Sequence, residues 1–132
     1  MSARRPANPY QARDELRGLL LVAAVAAVPD QHPVIAVDTG PSGAGSFSDG
    51  AAASLVSRIR VEISDPSEVE PEHRIAAVRR HLVGEGWSVI RSADGGDTVE
   101  LVAVRSGYAI VVHRRRDERR VVLTGETPPL PA

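Results

Sequence analysis

The chain has no cysteine and no lysine, and only 3% of its 132 residues are aromatic. Without thiols there are no disulfide frameworks, thiolate metal sites or cysteine nucleophiles. Without lysine there is no phosphate loop, which needs Gly-Lys-Ser or Gly-Lys-Thr. The all-arginine basic set is read as the bias of a high-GC genome rather than selection for anion recognition. Scarce aromatics leave the core to Val, Leu, Ile and Ala, and the β-branched members of that set suit strands, so sheet content is expected to be high. Charge of one sign is lacking as well: 16 basic residues face 17 acidic ones. No global field therefore draws the molecule to nucleic acid or an anionic membrane. No apolar run reaches membrane length either. The longest, Leu19 to Val28, matches a signal h-region and is half of a bilayer span.

What is present suits one domain of ordinary size. Asn8 followed by Pro9 reads as an N-cap with proline at the first helical position, and Pro29 with Asp30 closes a helix over 9–28. Its second half is Ala-rich and apolar nearly all round, as in a helix lying close on a sheet. The same residues have a second reading. Arg4, Arg5, Arg13 and Arg17 before an apolar stretch, with Ala24, Val25 and Ala26 as a cleavage site, would make an export signal. Asp14 and Glu15 in front of the stretch speak for the packed helix.

Pro33 to Val37 is a short extended run, and Thr39 to Gly50 a Gly- and Ser-rich loop expected to be flexible. From Ala53 to Ile63 apolar and charged residues alternate as in a strand with one wet face. A second helix is expected to open at Ser67 or just after it, to bury Ile75, Val78 and Leu82, and to end at Gly84 and Gly86. Four strands follow, about 87–92, 98–105, 108–114 and 120–124, joined by hairpin turns. If the strand before the second helix pairs beside one of these, a right-handed crossover is expected. The fold class is thus α+β, an antiparallel sheet of about five strands with two helices packed on one face. Residues 1–8 are expected to be disordered, 9–126 to form the single domain, and 127–132 to be a Pro-rich tail.

The order of several motifs resembles small actinobacterial exported proteins and lipoproteins of unknown function. They are the helix start Arg13-Asp14-Glu15-Leu16, the loop Gly40-Pro41-Ser42, the strand Ile59 to Ile63, the turn Gly86-Trp87-Ser88-Val89, the hairpin Ser106-Gly107-Tyr108, and the closing Leu123 to Pro128. The resemblance implies no activity. It implies a cysteine pair between the Gly-Pro loop and the C-terminal Thr-Pro segment, where this chain has Ser42 and Pro128 or Pro129. It also aligns the first helix with the folded domain rather than with a leader. Both points favour a cytoplasmic version.

Candidate chemistry is sparse. Val34 to Gly40 ends in Asp38-Thr39-Gly40, similar to the active-site segment of aspartic proteases. That chemistry needs a second carboxylate about 3 Å away, which a chain of this size supplies only by dimerising. Pro41 follows the glycine and the later apolar-apolar-Gly element is missing from a strand, so the match is read as coincidental and the chain as non-enzymatic. His32, His73, His81 and His113 have no i, i+4 pair among them, so neither metal nor cofactor is expected. Gly45 to Gly50 lacks the strand–helix context of a nucleophile elbow. Trp87 and Tyr108 are assigned to core packing.

His113 to Arg120 concentrates arginines on a hairpin tip. Arg114, Arg115, Arg116, Arg119 and Arg120 form the candidate surface for a protein partner. Nucleic acid is disfavoured for want of aromatic stacking platforms. The expectation is a cytoplasmic protein-binding or accessory domain, with a homodimer through a sheet edge as a further possibility. The alternatives are an exported domain acting at the cell envelope, and nucleic-acid binding through the hairpin.

Overall fold

Asn8 does cap the first helix: its Oδ1 accepts from the Gln11 amide at 2.9 Å. The computed structural model describes residues 8–43 and 54–131. The start of the expected disordered N-terminus, the loop segment 44–50 and the Gly45–Gly50 stretch lie outside the described residues. Helix α1 (Pro9–Ala27) buries Ala12, Leu16, Leu20, Ala23, Ala24 and Ala27 along one stripe. The apolar run 19–28 is therefore shared between core and surface: Leu20, Ala24 and Val28 are buried, while Val22 and Val25 face outward.

Strand β1 (Val34–Gly43) pairs antiparallel with β2 (Ser54–Ser64). The sequence places a loop from Thr39 onward, but the strand continues to Gly43. Gly40 adopts φ +117°, the Gly40–Pro41 peptide is cis, and the register shifts between Thr39 and Ser42. A bulge on an edge strand accommodates a proline that has no N–H to offer the ladder.

Helix α2 (Pro71–Gly84) starts later than Ser67. The Ser67 hydroxyl instead accepts from the Val69 amide at 3.3 Å, a local turn that competes with helix, and Pro71 then takes the first-turn position. Ile75, Val78 and Leu82 are buried as expected. Gly86 (φ +89°) ends the helix and turns the chain so that the Trp87 amide donates to the Leu82 carbonyl at 2.9 Å.

The meander consists of β3 (Ser88–Ala93), β4 (Thr98–Arg105), β5 (Tyr108–Arg115) and β6 (Arg120–Glu126), followed by β7 (Leu130–Pro131). Positive φ at Ser106 and Gly107 gives the β4–β5 hairpin its two-residue turn. The sheet has seven strands in the order β1-β2-β6-β5-β4-β3, with β7 on the free end of β2. The two strands beyond the expected five are β1 and β7. Residues 127–131 are not a tail. Thr127 is buried, its Oγ1 accepts from the Ser57 amide at 2.9 Å, and Leu130 pairs with Leu55. The strand before α2 does pair beside a later one: β2 lies antiparallel to β6, and the four antiparallel pairings from β2 to β3 leave those two strands parallel, so α2 joins them by a crossover that passes the three strands between.

Both helices lie on one face of the sheet, an α+β fold. Its core rows run Ile35·Val61·Leu123·Val112·Leu101 and Ile59·Gly125·Ile110·Ala103·Val89 across the strands. Gly125 leaves room for α1, because a Cβ there would sit 2.6 Å from Leu16 Cδ1.

Candidate binding surfaces

Strand alternation sorts the candidate arginines. Tyr108, Ile110 and Val112 point into the core from β5, and Arg114 continues that row; the residue is only 4% exposed. Its Nε donates to Asp65 Oδ2 at 3.0 Å, and its Nη1 to the carbonyls of Arg115 and Glu118. Asp65 is fully buried. Its other oxygen accepts from Arg74 Nε at 3.0 Å and from the Ser67 hydroxyl at 3.3 Å. Asp65 thus ties the end of β2 to α2 and β5, and Arg114 belongs to the interior rather than to a partner surface.

The four remaining candidates are exposed but paired. Arg115 lies 3.3 Å from Asp117, and Arg120 reaches Glu62 at 2.8 Å and Glu118 at 3.1 Å. Arg116 turns to the helix side, where it bonds Glu72 of α2 and the Gly96 carbonyl. That guanidinium holds the Glu72 carboxyl below the usual carboxylate range. Arg119 caps the Pro66 and Ser67 carbonyls at 3.3 and 3.4 Å. The concavity of about 410 Å³ beside them sets Arg114, Arg116 and Arg119 against Glu68, Glu70 and Asp117. Counterion release from a phosphate backbone needs cations free to neutralise it. Here the protein's own carboxylates and carbonyls hold them.

The Asp38-Thr39-Gly40 segment fastens a helix. Arg13 of α1 donates from Nε and Nη2 to the two Asp38 oxygens, each at 2.9 Å, a bidentate fork. The carboxylate in turn holds the Arg13 proton more tightly than usual. Gly40 packs so closely that a Cβ would lie 2.8 Å from the Val56 carbonyl oxygen. The four histidines stay apart, and no group of three or more His, Asp or Glu side chains among the described residues is placed to hold a metal ion.

Two surfaces carry no local motif. The first is the helix-free face of the sheet. Across it run the rows Val34·Glu62·Val122·His113·Glu100·Ala93, Val37·Arg60·Thr124·Val111·Val102·Arg91 and Thr39·Arg58·Glu126·Ala109·Val104·Ser88. Val102, Val104, Ala109 and Val111 form a half-buried apolar centre, and Arg115 and Arg120 lie at its rim. Burial and the nearby Arg60 hold the His113 imidazole below its ordinary range, so it resists protonation. Strand alternation alone separates the two faces, but only pairing order assembles the rows.

The second is a groove of about 400 Å³ between the helices, walled by Gly18, Leu19 and Val22 of α1 and by Leu82 and Trp87. Trp87 is buried, as expected of a packing residue, with the Arg105 guanidinium 5.0 Å from its ring centroid. Tyr108 is buried too, and its hydroxyl donates to Glu15 Oε2 at 3.0 Å. Burial and that carboxylate raise the phenol well above its ordinary range.

No helix among the described residues is long and apolar enough to cross a membrane. No protein-family model matches the chain, and no curated protein matches it significantly. Among solved structures it is similar in fold to the crystal structure of the putative lipoprotein LppA from Mycobacterium tuberculosis. The TM-score is 0.59 at 13% identity, over 95% of this chain and 79% of that one. In this fold Ser42 and Pro129, one of the two C-terminal positions (Pro128 or Pro129) at which the sequence resemblance implies the partner cysteine, line one concavity beside β2.

Proposed function

We propose that the chain is a non-enzymatic protein-binding domain that meets its partner with the helix-free face of the sheet. The observation that carries this is the anatomy of that face. A half-buried centre of Val102, Val104, Ala109 and Val111 is rimmed by Arg58, Glu62, Arg91, Glu100, Arg115, Arg120 and Glu126. An apolar centre within a mixed-charge rim is how protein interfaces are built. The face is preferred to a sheet edge because β1 and β3, the outer strands, each carry register shifts that interrupt a regular ladder. It is preferred to the arginine hairpin as a nucleic-acid surface because those guanidinia are paired internally.

Quantitative affinity capture with the parent, Val111→Glu and Arg116→Gln tests this. A partner held by the parent and by Arg116→Gln but released by Val111→Glu, and then binding as a purified protein with the same preference, supports the proposal. Equal capture by all three sinks it.

A second reading, export to the cell envelope, draws on the fold likeness to a putative lipoprotein. Against it, α1 places half of its apolar run in the core, which supports a packed helix and a cytoplasmic domain. Fractionation of the native host, with mass spectrometry of the mature N-terminus, separates the two.

A further inference from the structure

We infer that the groove between α1 and α2 is a second docking site, one that takes a basic amphipathic peptide segment of a partner protein. Its floor is apolar, from Leu19, Val22, Leu82 and the edge of Trp87. Val22 is 56% exposed, an apolar side chain left in water at the mouth. Gly18 opens the wall: a Cβ built there meets nothing within 4 Å. A helix carrying glycine in its interior loses stability relative to alanine. Here the missing side chain leaves that wall of the groove open.

The charge of the occupant follows from the rim. Asp14, Glu15 and Glu85 border the groove with His81. Among the described residues the Glu15 side chain accepts only from the neutral Tyr108 hydroxyl. Asp14 and Glu85 direct their carboxylates to no hydrogen bond or ion pair among the described residues. This contrasts with the sheet face and the hairpin, where Glu62, Glu72, Glu100, Asp117, Glu118 and Glu126 all have an arginine within 4 Å. The nearby cation Arg105 is held over Trp87 by its bond to the Glu85 carbonyl at 2.7 Å. Arg17, one turn along α1 from Asp14, forms no ion pair among the described residues. An apolar slot between two helices suits an amphipathic helix laid into it, anchored by aliphatic side chains. Unpaired carboxylates at its lip select lysine or arginine beside those anchors. The site is independent of the sheet face, so either surface can fail without the other.

The chain's single tryptophan lines the groove, so its emission reports occupancy. The probes are a fluorescein-labelled 18-residue Lys/Leu amphipathic peptide and its Glu/Leu counterpart, followed by anisotropy and by Trp87 fluorescence. We expect the Lys/Leu peptide to bind and to change Trp87 emission, and the Glu/Leu peptide to do neither. The double variant Asp14→Asn/Glu85→Gln should weaken binding about tenfold. Gly18→Leu fills the slot and should abolish binding; it also gains helix propensity, so loss of binding will not reflect unfolding. Equal binding of both peptides, binding that leaves Trp87 unchanged, full affinity in Gly18→Leu, or no binding of the Lys/Leu peptide each overturns the inference.

Discussion

Replacing Asp65 with asparagine should remove a large part of the stability of this domain. The carboxylate is fully buried, and the guanidinia it bridges have side chains 15% (Arg74) and 5% (Arg114) exposed. Asparagine keeps the shape and one acceptor but leaves the buried Arg114 and the half-buried Arg74 facing a neutral amide. Breaking a buried pair in this way costs about 3–5 kcal/mol, out of a total near 5–15 kcal/mol for an ordinary domain. With a urea m-value of roughly 2 kcal/mol/M, the unfolding midpoint should fall by about 1.5–2.5 M. Arg74→Gln and Arg114→Gln each leave the carboxylate one cation and should act less severely. Their combination should be non-additive, because both report on one oxygen pair. A midpoint shift below about 0.5 M for Asp65→Asn would mean that the chain end of β2 relaxes to hydrate the arginines, and the reasoning would be wrong.

Gly40→Ala combines a φ of +117° with a Cβ 2.8 Å from the Val56 carbonyl oxygen. It should destabilise by about 2–4 kcal/mol in denaturant titration; a loss under about 1 kcal/mol would show that the bulge re-forms around a side chain. Tyr108→Phe removes the bond to Glu15 that joins β5 to α1 and should cost about 1 kcal/mol by thermal unfolding; an unchanged Tm would show that the bond has no net value. His113 is harder to protonate folded than unfolded. As pH falls below the ordinary histidine value of about 6.5, the unfolded chain gains a proton that the folded one refuses, until the lower folded value is passed. Stability is therefore lost across that window, and His113→Gln should flatten the decline between pH 7 and 5. Parallel curves for parent and variant would remove His113 from the account.

Helix caps, turn residues and period-two alternation made both helices and the β3–β6 meander legible, because each depends on neighbours in sequence. Two features escaped for the opposite reason. The β1 extension reads as a loop from Gly40 and Pro41, yet the backbone of β2 accepts it as a bulge. Residues 127–131 read as a tail from their prolines, but Thr127 and Leu130 bond to β2, about 70 residues earlier at Ser57. Ser67 reads as the opening of the second helix and escaped for a local reason: its hydroxyl serves Asp65 and its own turn, and the helix starts only at Pro71. The candidate site divides similarly. Position parity in β5 puts Arg114 with Tyr108, Ile110 and Val112, a signal available from sequence that the cluster of like charges obscures. That Asp65 is its partner depends on the β2–β6 pairing and cannot be read locally. The groove carried no motif, since its walls come from α1 and from the Leu82 to Trp87 segment, about 60 residues apart in sequence.

The pairing of β2 with β6 divides the chain into two parts of unequal locality. Every contact within the β3–β6 meander closes over a short loop, as at Arg105 and Tyr108. The β2–β6 ladder joins residues as far apart as the 68 between Arg58 and Glu126. Loop-closure entropy makes such non-local pairings slow to form. The meander with α2 should therefore acquire protection first, and the α1–β1–β2 part should join it across this seam. Pulse-labelled hydrogen exchange checks the order: β4 and β5 amides protected before those of β2 agree with it, and simultaneous protection does not. Until the seam closes, β6 has an open edge and the apolar stripe of α1 has no sheet to cover. Aggregation during refolding should thus begin at β6 and respond to changes at that strand more than to changes at either edge of the finished sheet.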